Sequence, residues 1–173
     1  MNLSRFCLAV IVLMGVLQSD PIVPQTGDWQ RIVPLHSSRK DVEKLLGSPS
    51  EVLTNSVLYR TKDEVVIIFY SNGSLCGTKG SQWRVPRDTV ERISVTLNRG
   101  LPLSQFNIDE AKYKRKSGGH RSEDLYYVNE EKGEVLRVFN GEILDLNYGP
   151  RTSDKDLMCP RSGKEIKLLN PNH

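Results

Sequence analysis

Apolar and polar residues alternate along most of this chain with the period of a β-strand, but one segment has the period of a helix. That segment is HSSRKDVEKLLGSP, residues 36–49. Its apolar positions are spaced i, i+3 and i+4 and share one helical face: Val42, Leu45 and Leu46. Ser38 is a favourable N-cap, Gly47 accepts the left-handed conformation, and Pro49 prevents continuation. The pattern predicts a short amphipathic helix that starts after Ser38 and ends before Gly47.

The remaining apolar segments predict strands. They recur through the rest of the chain as SVLYRT, EVVIIFYS, DTVERISVTL, DLYYVN, GEVLRVF and EILDLNY. The run from Val65 to Tyr70 is apolar on both faces, which predicts a central strand. The alternation slips once at Glu91-Arg92, which predicts a β-bulge, and Asn140-Gly141 predicts a type I′ hairpin turn. The basic segment EAKYKRK suits an edge strand that lysines protect from further pairing.

These elements predict an α+β fold. A helix this short is marginal alone in water, because nucleation is costly, so its apolar stripe must lie against the sheet. We therefore expect one main amphipathic helix packed on a mostly antiparallel β-sheet. Val-Pro-Leu, Leu-Tyr and Asn-Gly patterns also recur, with small changes, at similar offsets in the two halves of the chain. The recurrence leaves open the alternative that the chain consists of two related halves. However, SQFNIDEAKYK in the second half lacks a helical stripe, and chance matching explains the recurrence equally well.

The first residues have the pattern of a signal peptide. A single positive charge, Arg5, precedes an apolar run from Phe6 to Leu17 that only Gly15 interrupts. A transmembrane helix needs roughly 20 apolar residues, so the shorter run suits an export signal. We predict a signal peptide at 1–19, a flexible lead-in at 20–28, a single α+β domain at 29–159 and a disordered tail at 160–173. The mature chain is then exported, periplasmic or secreted, with no further transmembrane segment.

The cysteines agree with export. Cys7 lies inside the predicted signal peptide, so Cys76 and Cys159 remain as a pair in an oxidising compartment. We predict a disulfide between them. Closing a loop of about 80 residues stabilises a fold by roughly 4 kcal/mol in the chain-entropy model. The alternatives are two unpaired buried thiols or one reactive thiol.

Charge and histidine spacing argue against several classes of function. Removing the signal peptide lowers the formal net charge from +3 to +2, which is too small for a nucleic-acid-binding face. The three histidines, His36, His120 and His173, have none of the spacings typical of metal sites, so we predict no metal and no cofactor. Carboxylates are plentiful, but the sequence does not show which of them meet in a cleft.

A stretch of about a third of the chain resembles a known family. It runs from Leu35 to Pro49, continues from Leu58 to Tyr70 and ends at a later VERISV. The matching positions are Ser37, Ser38, Val42, Leu45, Leu46, Gly47, Pro49, Tyr59 and Phe69. This pattern resembles the outer-membrane assembly lipoproteins of the SmpA/OmlA type, and β-lactamase-inhibitor proteins share a related helix-plus-sheet unit. The resemblance implies a cell-envelope location and supplies no activity.

Four residues are candidates for binding. Arg39 and Lys40 lie in the first helical turn, where the macrodipole disfavours positive charge, so they either face an acidic partner or are simply solvated. Tyr70 and Tyr127 lie on strands, and adjacent Tyr126 and Tyr127 must point to opposite faces, which favours an exposed tyrosine. A tyrosine that packs its ring and wets its hydroxyl is the ordinary alternative.

We therefore predict an exported, non-enzymatic binding or envelope-assembly module that has a protein partner in the cell envelope. The alternative is a small secreted hydrolase that uses carboxylates or His36. A purely structural domain is the third class. The sequence names no catalytic residue, leaves open whether the protein is an enzyme, and is silent on the oligomeric state.

Overall fold

A computed structural model describes residues 31–73, 76, 82–106, 108–109, 111–118 and 123–160. The predicted signal peptide and lead-in lie outside these residues, as do His120, His173 and all of the predicted tail beyond Pro160.

One antiparallel sheet of eight strands is the main structural element of the described chain. The helix α1 (Arg39–Leu46) precedes the strands β1 (Glu51–Val52), β2 (Ser56–Arg60), β3 (Glu64–Tyr70), β4 (Val90–Pro102), β5 (Lys114–Ser117), β6 (Leu125–Asn129), β7 (Glu134–Phe139) and β8 (Glu142–Tyr148). Short 3-10 helices lie at Leu103–Gln105 and Thr152–Leu157. The strand order is β1-β2-β3-β4-β8-β7-β6-β5, so the pairing of β4 with β8 joins two up-and-down groups of four strands.

The predicted α+β class, with a main amphipathic helix, is wrong. The helix has eight residues and buries only Val42, while Leu45 of the predicted apolar stripe is 40 % exposed. Most of the buried apolar side chains come instead from β2, β3, β4, β7 and β8. A second helix-bearing half is also missing from the described residues, where the segment after β4 forms only the 3-10 helix Leu103–Gln105. The sheet, and not the helix, organises this core.

The limits of the helix are as predicted. The Ser38 side chain accepts a hydrogen bond from the Asp41 N–H, and the Asp41 carboxylate accepts one from the Ser38 N–H at 2.8 Å. This reciprocal pair is a capping box. Gly47 ends the helix with a positive φ of 74°, a conformation that glycine adopts without strain.

The sheet has a core face and an outer face. Along β3, Val66, Ile68 and Tyr70 are buried on the core face, and the residues between them point to the outer face. The predicted central position of this strand is confirmed, because β3 lies between β2 and β4. The predicted bulge is confirmed as well, since Phe69 pairs with Arg92 while Tyr70 pairs with Val90, which leaves Glu91 as the extra residue.

A second, smaller ribbon lies outside the sheet. Trp83 and Met158 form an isolated antiparallel bridge, and the Cys159 N–H donates to the Gln82 carbonyl at 2.9 Å. We call residues 82–84 and 157–159 the disulfide ribbon, because the sulfurs of Cys76 and Cys159 lie at disulfide distance, 2.08 Å apart. This geometry agrees with the predicted pairing. Within the described residues, every helix is too short or too polar to cross a membrane.

Candidate binding cleft

A cleft of about 420 Å³ opens between the outer face of the sheet and the disulfide ribbon. This volume lies within the range of small-molecule sites, which begins at roughly 300 Å³. The residues that line the cleft come from β4, β6, β7, β8, the 3-10 helix Thr152–Leu157 and the ribbon.

Cross-strand pairing builds the floor of the cleft. Val128 of β6 pairs with Val135 of β7, which in turn pairs with Asn147 of β8. Residues directly opposite in an antiparallel ladder point to the same face, so these three side chains form one row on the outer face. All three are half-buried. The floor is therefore mainly apolar and is held by three paired strands.

Hydrogen bonds from the last described segment hold the roof over this floor. Thr152 donates to the Glu130 carbonyl through its N–H at 3.0 Å and its hydroxyl at 2.9 Å. Trp83 and Met158 of the disulfide ribbon line the roof, and Met158 is 43 % exposed. An exposed thioether next to an indole offers an adaptable apolar contact surface.

One end of the cleft is closed by the near contact of two backbone segments. The Gly149 N–H donates to the Gly133 carbonyl at 2.7 Å. A Cβ at Gly133 would lie 2.2 Å from the Gly149 carbonyl oxygen, so only glycine permits this approach. The shape of the cleft thus depends on the turn between β6 and β7.

Positive charge predominates along the cleft. Arg92, Arg151 and Lys155 line it, and Glu130 is the acid whose exposed carboxylate lies at its edge. Lys114 pairs with that carboxylate at 3.2 Å. The Arg92 guanidinium stacks over the Phe69 ring, 4.1 Å from its centroid, which orients the group without cancelling its charge.

A row of buried polar residues lies beneath the same end of the sheet. Asn129, Glu134 and Tyr148 are cross-strand partners on the core face, and Glu134 is fully buried. The Tyr113 hydroxyl donates to Oε2 of Glu134, whereas Oε1 of Glu134 and Nδ2 of Asn129 have no hydrogen-bond partner within the described residues. Burial raises the pKa of the Glu134 carboxyl, and Tyr113 and Lys132 only partly oppose the shift.

Glu134 is therefore not an acid of the cleft. Although its backbone borders the cleft, alternation along β7 turns its side chain to the core face, where Tyr113 packs against the core. A carboxyl group so placed tends to hold its proton and contributes to the core rather than to chemistry at the surface.

The four residues predicted to bind do not form one site. Arg39 and Tyr70 come together, because the Arg39 guanidinium lies 4.1 Å from the centroid of the Tyr70 ring and donates to Asp88 at 3.0 Å. Tyr70 is only 3 % exposed, so it is not a rim residue. Lys40 is exposed on the helix beside Arg39. Tyr127 lies on the core face of β6, with β4, β8 and β7 between it and Tyr70.

His36, the histidine of the predicted hydrolase, pairs with a buried acid. Its Nε2 lies 2.8 Å from Oδ1 of Asp154. Burial opposes ionisation of Asp154, but hydrogen bonds from His36 and the Arg151 N–H keep the pKa of this carboxyl below its usual value. Neither residue is among the described residues that line the cleft. The nearby serine hydroxyls are engaged elsewhere, with Ser37 accepting from the Val33 N–H and Ser38 donating to Asp41.

The described residues contain no cluster of three or more His, Cys, Asp or Glu side chains that fits a metal ion.

Few features of the sequence predict the cleft. Its roof comes from the isolated residues Trp83, Lys155 and Met158, which lie in segments without periodicity. The available signal was Cys159, because a disulfide to Cys76 must bring the C-terminal segment back to the loop after β3. Which face of the sheet that segment covers was not encoded in any local pattern.

Comparisons with protein-family models, curated proteins and solved structures yield no match to this chain. The resemblance to outer-membrane assembly lipoproteins therefore stays a prediction.

Proposed function

We propose that this protein is an exported, non-enzymatic binding module and that its ligand lies in the cleft under the disulfide ribbon. The observation that carries the proposal is the cleft itself, which is preformed, mainly apolar and edged by a few charged groups. That combination is typical of binding sites for small ligands. An assembly role in the cell envelope, with a protein partner, remains part of the proposal.

Support for export comes from the cysteine pair. Cys76 and Cys159 lie at disulfide distance, and stable disulfides form mainly in oxidising compartments. The signal-peptide pattern of residues 1–19 points the same way.

A hydrolase is the second candidate, because a histidine held by a buried aspartate is the orienting half of a catalytic triad. Binding is the better supported function, since the adjacent serine hydroxyls hydrogen-bond to other groups and neither His36 nor Asp154 is among the described residues that line the cleft.

A cleft-filling substitution tests the proposal. Val135→Trp places a large ring on the floor of the cleft, whereas Val65→Trp places the same ring on the outer face of β3, away from the cleft. The probe is anilinonaphthalene sulfonate, whose fluorescence rises in apolar pockets. We expect saturable binding by the wild type and by Val65→Trp, and loss of binding by Val135→Trp.

Urea unfolding confirms that each variant is folded before binding is compared. Unchanged probe binding by folded Val135→Trp contradicts the proposal, and so does a wild type that binds no probe. If the wild type hydrolyses an ester substrate and His36→Ala does not, the hydrolase is favoured instead.

A further inference from the structure

The charge of the cleft limits the kind of ligand that it accepts. The exposed cations Arg92 and Lys155 edge the cleft, whereas Arg151 acts on the Asp154 carboxylate and the Glu130 carboxylate is paired with Lys114. The other acid of the lining, Glu134, turns its side chain to the opposite face and has a raised pKa. A ligand that enters the cleft therefore meets an excess of positive charge.

These charges lie where the cleft meets water. Arg92 and Lys155 are exposed, whereas the floor residues Val128 and Val135 are half-buried. An apolar tail gains by leaving water for the floor, at about 25 cal/mol per Å² of buried surface. A charged head group keeps its hydration if it stays at the exposed edge. The cleft is thus amphipathic along its depth.

Arg92 is suited to recognise a planar anion. Arg92 lines the cleft, and stacking on the Phe69 ring of the neighbouring strand β3 fixes the plane of its guanidinium. A guanidinium presents paired N–H donors that match the two oxygens of a carboxylate. Lys155 adds a point charge from the 3-10 helix Thr152–Leu157.

We propose that the cleft binds a small monomeric amphiphile with one carboxylate and an unbranched apolar tail, of the fatty-acid class. The inference rests on the proposed binding function and adds the chemistry of the ligand. The carboxylate lies at Arg92 and Lys155, and the tail lies between the floor and the roof residues Trp83 and Met158.

Trp83 supplies the readout. The chain has two tryptophans, Trp29 and Trp83, so the variant Trp29→Phe leaves the cleft residue as the single indole reporter. Three probes share the same tail and differ in the head group: decanoate, decanol and decyltrimethylammonium. Decanoate and decyltrimethylammonium are titrated below their critical micelle concentrations and decanol below its solubility limit, and Trp83 fluorescence gives the dissociation constants.

We expect decanoate to bind more tightly than decanol, and decyltrimethylammonium to bind most weakly. Added salt should weaken decanoate binding and leave decanol binding unchanged, because screening acts only on the charged pair. Equal affinity for the three probes overturns the proposed ligand class and leaves the binding function standing. If the wild type binds anilinonaphthalene sulfonate but not decanoate, the inference fails alone. If it binds neither, the proposed function fails too.

Matched substitutions locate the head group. Lys155→Met removes the charge and keeps a side chain of similar length, so decanoate affinity should fall about two- to fivefold, the range of an exposed ion pair. Lys155→Arg should restore the affinity. Lys62→Met removes an exposed cation from the connection between β2 and β3, away from the residues that line the cleft, and should change nothing.

Loss of decanol affinity in Lys155→Met equal to the loss of decanoate affinity overturns the proposed contact, because decanol has no charge. Tighter binding of an apolar tripeptide with an unblocked C-terminus than of decanoate also overturns the inference, since the ligand would then be a peptide carboxylate.

Discussion

At the scale of single residues, the buried carboxyl of Glu134 has the clearest effect on how stability depends on pH. The side chain is fully buried, one oxygen accepts from Tyr113, and the other has no hydrogen-bond partner within the described residues. Desolvation raises its pKa, so the folded protein favours the protonated form. The group is stabilising or neutral in acid and becomes costly as it is forced to ionise.

The sign of the resulting pH dependence follows from linkage. An unfolded glutamate titrates near a pKa of about 4.3. Below that pKa Glu134 is protonated in both states, whereas stability declines as the pH rises from there through the raised folded pKa. Glu134→Gln removes the ionisation. The free energy of unfolding of the variant, relative to that of the wild type, should therefore be higher near pH 7 than near pH 4.

Urea unfolding at several pH values measures this difference. The free energy of unfolding of the variant minus that of the wild type should increase with pH. Glu130→Gln is the matched control, because its carboxylate is exposed and paired with Lys114. A difference for Glu134→Gln that is constant with pH would show that the carboxyl ionises equally well in the folded and unfolded states.

At the scale of elements, α1 shows how closely local signals determine a short helix. Ser38 and Asp41 exchange the two hydrogen bonds of a capping box at its start. Ser38→Ala removes the side-chain acceptor of the Asp41 N–H and should cost about 1 kcal/mol of stability. Thermal or urea unfolding measures the loss.

Lys40→Ala is the comparison for this substitution, because it changes an exposed residue of the same helix and should alter stability by only a few tenths of a kcal/mol. Equal effects of the two variants would mean that the cap contributes nothing beyond helix propensity.

The helix and the bulge were predictable because their causes lie within a few residues. The cap, the glycine stop and the slip at Glu91 are all visible in the sequence. The pairing of β4 with β8 has no such local cause. It brings together Val95 and Leu146, which alternate equally well in any register, so only the packed core selects the partner.

The same reason explains the missed architecture at the scale of the whole molecule. The amphipathic pattern of α1 correctly requires a sheet beneath it, but the size of that contact is not in the pattern. The helix buries one side chain, Val42, whereas β2, β3, β4, β7 and β8 bury their apolar residues against one another and against Ile32 and Phe106. A helix can be well formed locally and still be a minor layer of the fold.

The cleft depends on the whole molecule more than any element does. Its floor belongs to the sheet, and its roof is held by the backbone bridge of Trp83 with Met158, by the Thr152 hydrogen bonds to Glu130 and by the pair Cys76–Cys159. The cysteines are 83 residues apart in the chain, so their bond constrains a long loop of the unfolded state. Such a constraint is worth up to about 4 kcal/mol in the chain-entropy model.

The double variant Cys76→Ser with Cys159→Ser should therefore have a lower free energy of unfolding. It should lose ligand affinity while it keeps most of its strand content. The reason is that the floor keeps its ladder of strands, whereas the roof loses the covalent link and is held by hydrogen bonds such as those of the backbone bridge and of Thr152. Far-ultraviolet circular dichroism reports the sheet, and titration with anilinonaphthalene sulfonate reports the cleft. A folded double variant that binds the probe as tightly as the wild type would mean that hydrogen bonds hold the roof without the disulfide, which would then serve stability without shaping the site.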